Sequence, residues 1–436
     1  MRPVKHGSFG AGDLRVTDIR FLLLRFFGFE REQQLELFSA RDVPGPALPF
    51  GFEGQGLFDA GPPQQLQVKL GLIRRGQLHP VRRAIIVAAL GWVPLLILSA
   101  IQSALFRNGD FASFITDYGA IARSLIAAPV LVLAEAATAP RLSAIAQHFR
   151  EAGLIAAKDL PAFREAVAST YRLRDFVQLE IAIFVIAFAA TAILGLSVPL
   201  RFFPHWHLAG DGHALTLSAA GWWDTLISAP VLVVLLLGWL WRLGLWTRFL
   251  WLMSRLDLRL ISAHPDGAGG LGFVGMSLQP LSVVAFALGA IIAGTVANRV
   301  LHDHLAILDF RYVVPIFAGL IVLLFSGPLL VFTDKLVQAS RKGAFEYGAL
   351  ARAVGRQMET RWLNQKPTQE ALDANDFSAT TDLYAIVSNV YSMNLVPAGL
   401  KNLAVVAIGA LLPFVPVVLA AVSPEVLIQK LTGILL

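Results

Sequence analysis

After about residue 80, apolar residues come in runs close to 20 long, separated by polar segments. A run of that length is what a helix needs to cross some 30 Å of hydrocarbon, because each residue advances it by about 1.5 Å. Seven runs predict spans at Ala84–Phe106, Tyr118–Thr138, Phe176–Val198, Thr225–Trp246, Leu278–Ala297, Val313–Val331 and Leu403–Val422. The last holds Pro413 and Pro416, so it is expected to be kinked or re-entrant. The expected fold class is all-α: a polytopic transmembrane helical bundle with six or seven spans and cytoplasmic helical extensions. No internal repeat stands out in the pattern, which speaks against an inverted-repeat transporter.

The polar segments have patterns of their own. Between spans two and three, Leu142, Ile145, Ala146 and Phe149 recur at helical spacing. Gly153 suits a C-cap, and Asp159 followed by Pro161 suits a helix start. Residues 139–175 therefore read as a cytoplasmic helical hairpin. Residues 335–362 read as an extension of span six and 381–394 as a further helix. The expected organisation is an N-terminal arm (1–82), a six-span bundle (83–333), a cytoplasmic helical segment (334–401), and a final span or re-entrant segment (402–436) that ends in an amphipathic helix. Within the arm, RFLLLRFFGF (20–29) is apolar and basic. It reads as an interfacial helix on anionic lipid, or as a docking segment for a partner.

Composition agrees with the pattern. Apolar residues make up 56% of the chain and charged residues 15%, against roughly 25% charged in soluble domains. There is no cysteine, which excludes disulfides, thiol catalysis and cysteine metal sites. The opening MRPVKHGSFGAGDLRVTDIR lacks an apolar signal core, so the first span is expected to serve as an uncleaved insertion signal. The net charge of +6 does not point to nucleic acid. Lys and Arg number 12 in residues 1–83, six in 139–175, four at the end of span four and eight in 334–402, against five on the opposite side. The positive-inside rule then places the N-terminus in the cytoplasm.

Ionisable residues inside spans are costly and mark functional candidates. Arg123 lies in the outer part of span two and Glu135 in its inner part; Glu180 and Arg242 lie near the inner ends of spans three and four. Glu135, Glu180 and Arg242 are expected at one depth, as a polar gate or as a buried pair that fixes packing. Trp239, Arg242 and Trp246 share a helical face, a spacing repeated by Arg248, Trp251 and Arg255. This suits an aromatic belt or an anionic lipid site. Ala285, Gly289, Ala293 and Ala297 form a small-residue stripe on span five, suited to helix packing, a subunit interface or a pore lining.

Two predicted outer loops hold His205, His207 and His213, and His302, Asp303 and His304. They are weak candidates for a metal or a pH-sensing site, and otherwise ordinary loop histidines. In the loop before span five, His264-Pro265-Asp266-Gly267-Ala268-Gly269-Gly270 formally contains G-x-G-x-x-G. A helix rather than a strand precedes it, so a tight turn is the better reading than a nucleotide loop. No metalloprotease, nucleophile-elbow or P-loop motif occurs.

The stretch 221–273 resembles a family of bacterial multi-pass membrane proteins. The matching positions are Trp223, Ser228, Pro230, Trp239, Trp241, Arg242, Trp246, Phe249, Leu250, Trp251, Ser254, Arg255, Asp257, His264, Pro265, Asp266, Gly269 and Gly270. Ser262-Ala263 and Gly267 depart from the pattern. The resemblance implies an inner-membrane location and brings no activity with it. It draws attention to Arg242, Asp257, His264 and Asp266.

The leading functional expectation is a non-enzymatic, homo-oligomeric channel or transporter for ions or small solutes, without a cofactor. A sensor or scaffold with a cytoplasmic protein partner is the alternative, and a membrane enzyme acting on a lipid-linked substrate the third. Topology is directly testable, because the chain has no cysteine. Single cysteines at 207 and 303 should react with an impermeant reagent from outside and one at 268 only from inside; labelling of 268 from outside overturns the orientation.

Overall fold

A computed structural model describes residue 58 and residues 80–106, 110–199, 203–209, 216–360 and 375–421, all within the unit Phe52–Leu436. The interfacial segment 20–29, His213 and the C-terminal amphipathic helix lie outside the described residues. Helix α1 spans Pro80–Phe106, α2 Tyr118–Glu151, α3 Leu160–Arg174, α4 Val177–Ser197, α5 Ala219–Ser254, α6 Gly272–Leu301 and α7 Ile307–Met358. Helices α8 (Asn375–Tyr391), α9 (Leu400–Leu411) and α10 (Phe414–Ala421) follow. The described strands are β1 (Leu208–Ala209) and β2 (Thr216–Leu217), an antiparallel pair in which Leu208 faces Leu217.

Six helices, α1, α2, α4, α5, α6 and α7, are long and apolar enough to cross a membrane; α9 and α10 make a seventh candidate. The two are bent by 53° at a break that holds Pro413. Proline lacks the N–H needed there and its ring crowds the preceding turn, which breaks the helix. The sequence pattern expected this kink.

The bundle is arranged around α6. In its most apolar window 72% of residues are buried, against 17% in α4, 22% in α1 and 28% in α7. Glycines let the neighbours come this close. A Cβ on Gly289 would strike the carbonyl oxygen of Ala410 in α9, and one on Gly409 would strike that of Ser282 in α6. Farther along, Ala293, Val296, Ala297 and Val300 pack against Phe414 and Val417 of α10. The small-residue stripe of span five is thus used for packing inside the chain.

The expected hairpin is present, but its first arm is not separate. Helix α2 runs on past Thr138 to Glu151, with Pro140 inside it. Gly153 turns the chain at φ +66°, and Pro161 opens α3. Helix α7 likewise runs on to Met358. We call the end of the bundle where α1 begins proximal, and the opposite end distal.

The structure reveals a parallel repeat that the hydropathy pattern conceals. Residues 124–133, SLIAAPVLVL, return 101 positions later as 225–234, TLISAPVLVV. Both copies are built alike. Asp117 and Ser218, again 101 apart, are N-caps whose side chains accept from the N–H groups of Ala120 and Gly221. A short α-turn follows, then a π-helical segment, Ala122–Ala127 in α2 and Asp224–Ser228 in α5. Pro129 and Pro230 stand at the start of the α-helix after it. A widened turn admits a proline that a regular helix would reject, and such bulges gather at functional sites. The repeat was hidden because both copies are almost wholly apolar, like any span.

Replacing Gly289 with Leu should force α9 off α6 and cost about 1–3 kcal/mol through overpacking. Thermal unfolding in detergent measures this, and an unchanged melting temperature would contradict the packing. For the topology test, His207 and Ala268 prove buried, so exposed His205 and Pro265 replace them beside Asp303.

Candidate functional site

At the proximal end Glu135 joins two arginines. Its Oε2 accepts from Arg83 Nη2 at 2.8 Å and its Oε1 lies 2.9 Å from Arg242 Nη2. The three groups come from α1, α2 and α5 and are buried, at 4%, 5% and 9% exposure for Arg83, Glu135 and Arg242. Arg242 also lies over Trp239, 5.2 Å from the ring centroid, while Trp239 Nε1 donates to the carbonyl of Leu131. Phe58 packs edge-on against Trp246 at 5.4 Å and closes this end of the cluster. Breaking a buried ion pair by removing one partner costs about 3–5 kcal/mol, so the triad pins three helices together.

Expectation and structure differ here in two ways. Arg83 was counted as a flanking basic residue, yet it is the second arginine of the triad. Pro80 carried the signal, since proline at a helix start puts Arg83 in the first turn of the span. Glu180 is buried in the first turn of α4, and of the three residues expected at one depth Glu135 and Arg242 form an ion pair. Trp239, Arg242 and Trp246 are buried in the bundle and form no belt. Trp251 and Arg255 are the exposed pair, stacked at 4.8 Å.

Arg123 faces Asp224 at the distal end, 3.9 Å away, and Asp224 also takes a contact from His207 Nε2 at 3.0 Å. Arg123 and Asp224 occupy the same position of the two repeat copies, with opposite charge. The charges are therefore exchanged between helices: α2 carries arginine distally and glutamate proximally, α5 aspartate distally and arginine proximally. The two levels lie about 18 Å apart along α2. Both repeat segments converge on Gly91 of α1. Ser228 Oγ donates to its carbonyl at 3.1 Å, and Ser124 sits where a Gly91 Cβ would be in contact. A crevice of about 210 Å³ opens beside Arg123, Ser124, Asp224 and Ser228.

Nearby, Asp117 accepts from Trp206 Nε1 at 2.9 Å and Asn298 Nδ2 at 2.7 Å as well as capping α2. The sequence reading missed Asp117, Asp224 and Asn298, because short polar residues at span ends look like ordinary loop punctuation. Of the outer-loop histidines, His207 is buried and stacks on Trp206 at 3.8 Å. His205, His302 and His304 are exposed, and Asp303 pairs with Arg299. Among the described residues no group of three His, Asp or Glu side chains is placed to hold a metal.

The glycine-rich loop is a self-contained turn. Asp266 Oδ1 accepts from the N–H groups of Ala268 and Gly270, and Oδ2 from Gly272. His264 Nδ1 lies 2.8 Å from Oδ1. Gly267, Gly269 and Gly270 have φ of +63°, +65° and +95°, which side-chain-bearing residues avoid. Burial pushes the Asp266 carboxyl up, but the three N–H donors and His264 outweigh it and hold it below the usual 3.8. The carboxylate faces its own loop rather than a ligand. Asp257 is exposed and pairs with Lys158 at 2.7 Å; that hydrogen bond and charge hold its carboxyl down. Such a surface pair contributes little to stability.

The depressed Asp266 carboxyl stabilises the loop fully above pH 3.8, and that contribution is lost as pH falls through the lower folded value. Asp266→Asn removes the charge at all pH values. It should speed amide exchange at 268, 270 and 272 by about ten- to a hundredfold, since hydrogen bonds to charged groups contribute about 1.5–3 kcal/mol. Exchange at the wild-type rate would mean that Asp266 does not staple the loop. No family model, curated protein or solved structure matches the chain.

Proposed function

We propose that the protein transports an ion or small solute across a membrane, through a path walled by α1, α2 and α5. The observation that supports this reading is the pair of charged levels exchanged between repeat-related helices. Charges at bilayer depth are expensive and occur where a bundle has a use for them. A purely packing role is met by the proximal triad alone. The distal pair adds a half-exposed Arg123, at 38% side-chain exposure, beside a crevice and two π-helical segments. Such segments are places where a helix can change its winding. On this reading the triad and Phe58 close the path proximally, and the crevice beside Arg123 and Asp224 is part of it distally. A bacterial inner membrane, a cytoplasmic N-terminus and a non-enzymatic role without a cofactor complete the proposal.

Flux in proteoliposomes under an imposed potential tests it. Wild-type protein should pass at least one of Na⁺, K⁺, H⁺ and Cl⁻. Arg123→Ala should change the rate about tenfold, the effect of some 1.4 kcal/mol on the barrier. Absence of flux for all four ions with both proteins would discard the reading.

A further inference from the structure

Between α5 and α7 the proximal end carries a groove of about 520 Å³, within the size range of small-molecule sites. Arg255 and Lys335 bring two positive charges to it and Asp334 one negative charge, while Trp251 and Leu330 supply apolar wall. Among the described residues none of these three charged groups has an ion-pair partner. Asp257 feels the charge of Lys335 but already accepts from Lys158. The Arg255 guanidinium lies over the Trp251 ring, 4.8 Å from its centroid. Stacking of this kind fixes the guanidinium plane and keeps its N–H donors at the edge, where an oxyanion can meet them.

The depth of the groove follows from helix length. Trp251 stands 27 residues beyond Asp224 on α5, about 40 Å along the axis. Asp334 stands 21 residues beyond Val313 on α7, about 32 Å. The hydrocarbon core is about 30 Å thick, and the bilayer with its headgroups about 40–45 Å. Both helices therefore carry the groove to the headgroup level, where tryptophan also settles. Leu240 on α5 and Ile316, Leu320 and Leu323 on α7 are exposed on the spans that lead up to it.

We propose that this groove binds one phospholipid whose headgroup carries a primary amine as well as a phosphate. The phosphate takes Arg255 and Lys335, and the ammonium takes Asp334, so every charged group of the lining meets its opposite. The acyl chains lie on Trp251, Leu330 and the exposed apolar residues of the two spans. A headgroup with phosphate alone would set an anion against Asp334. A choline headgroup has no N–H to donate to that carboxylate. The site does not depend on the transport reading.

The test uses the purified, delipidated full chain in detergent. It is titrated separately with dioleoyl phosphatidylethanolamine, phosphatidylcholine and phosphatidylglycerol, and with soluble phosphoethanolamine. Native mass spectrometry counts bound molecules, and melting temperature follows the response. Phosphatidylethanolamine should bind as a single molecule, about tenfold tighter than the other two lipids, as expected for a hydrogen bond between charged partners. Asp334→Asn should abolish that preference, and Arg255→Gln should weaken all three lipids. Equal binding of the three lipids, tighter binding of phosphatidylglycerol, or an undiminished preference in Asp334→Asn would overturn the site. Phosphoethanolamine bound as tightly as the lipid would also overturn it, because the ligand would then be soluble. If Asp334→Asn fails to fold, Arg255→Gln decides: a loss of about tenfold for phosphatidylethanolamine supports the site, and wild-type affinity overturns it.

Discussion

A carboxylate held between two guanidinium groups inside an apolar helix bundle sets the register of α1, α2 and α5. Apolar packing cannot do this alone, because a helix face rich in leucine and valine packs almost as well one turn along. A slip of one turn is about 5.4 Å, and it would separate Glu135 from both arginines at 2.8 and 2.9 Å. Each buried charge would then face hydrocarbon unpaired, a far larger penalty than a shifted methyl group. The triad thus fixes where Trp239, Trp246 and Phe58 meet.

The distal end is held by different chemistry. Asp117 gathers an N-cap, an indole and an amide from three parts of the chain, and Gln102 bridges Asp110 and the carbonyl of Leu208. At the distal level of Arg123 and Asp224, α2 and α5 each carry a π-helical segment followed by a proline at equivalent places. The bundle is therefore regular around the proximal triad and irregular in its distal half, around Gly91.

Much of the frame was legible. Run length found the six long helices, since hydrophobic thickness and helical rise leave little freedom. Proline placement found the kink between α9 and α10 and the start of α3. Intramembrane charge marked Arg123, Glu135 and Arg242. A buried pair involving Glu135 and Arg242 was among the expectations; what escaped notice was the second arginine of the triad and the partner of Arg123. Arg83 looked like one more basic residue in a basic flank, and Asp224 like a loop aspartate. The histidines looked like a group, but His207 turns inward to Asp224 while His205, His302 and His304 stay exposed. The glycine-rich loop is the tight turn its sequence suggested; what the sequence did not show is that Asp266 of the same loop staples it.

By itself the sequence determined that this chain lives in a membrane as a helical bundle, and which few charges it carries there. Those properties follow from local composition: water and hydrocarbon sort residues one segment at a time. Only the tertiary structure decided which charges meet, that Arg123 and Asp224 are counterparts in a repeat, and that one carboxylate is shared by two arginines 52 and 107 positions away. Ion pairing depends on a few ångströms of separation between helices distant in sequence, and no local pattern encodes that distance.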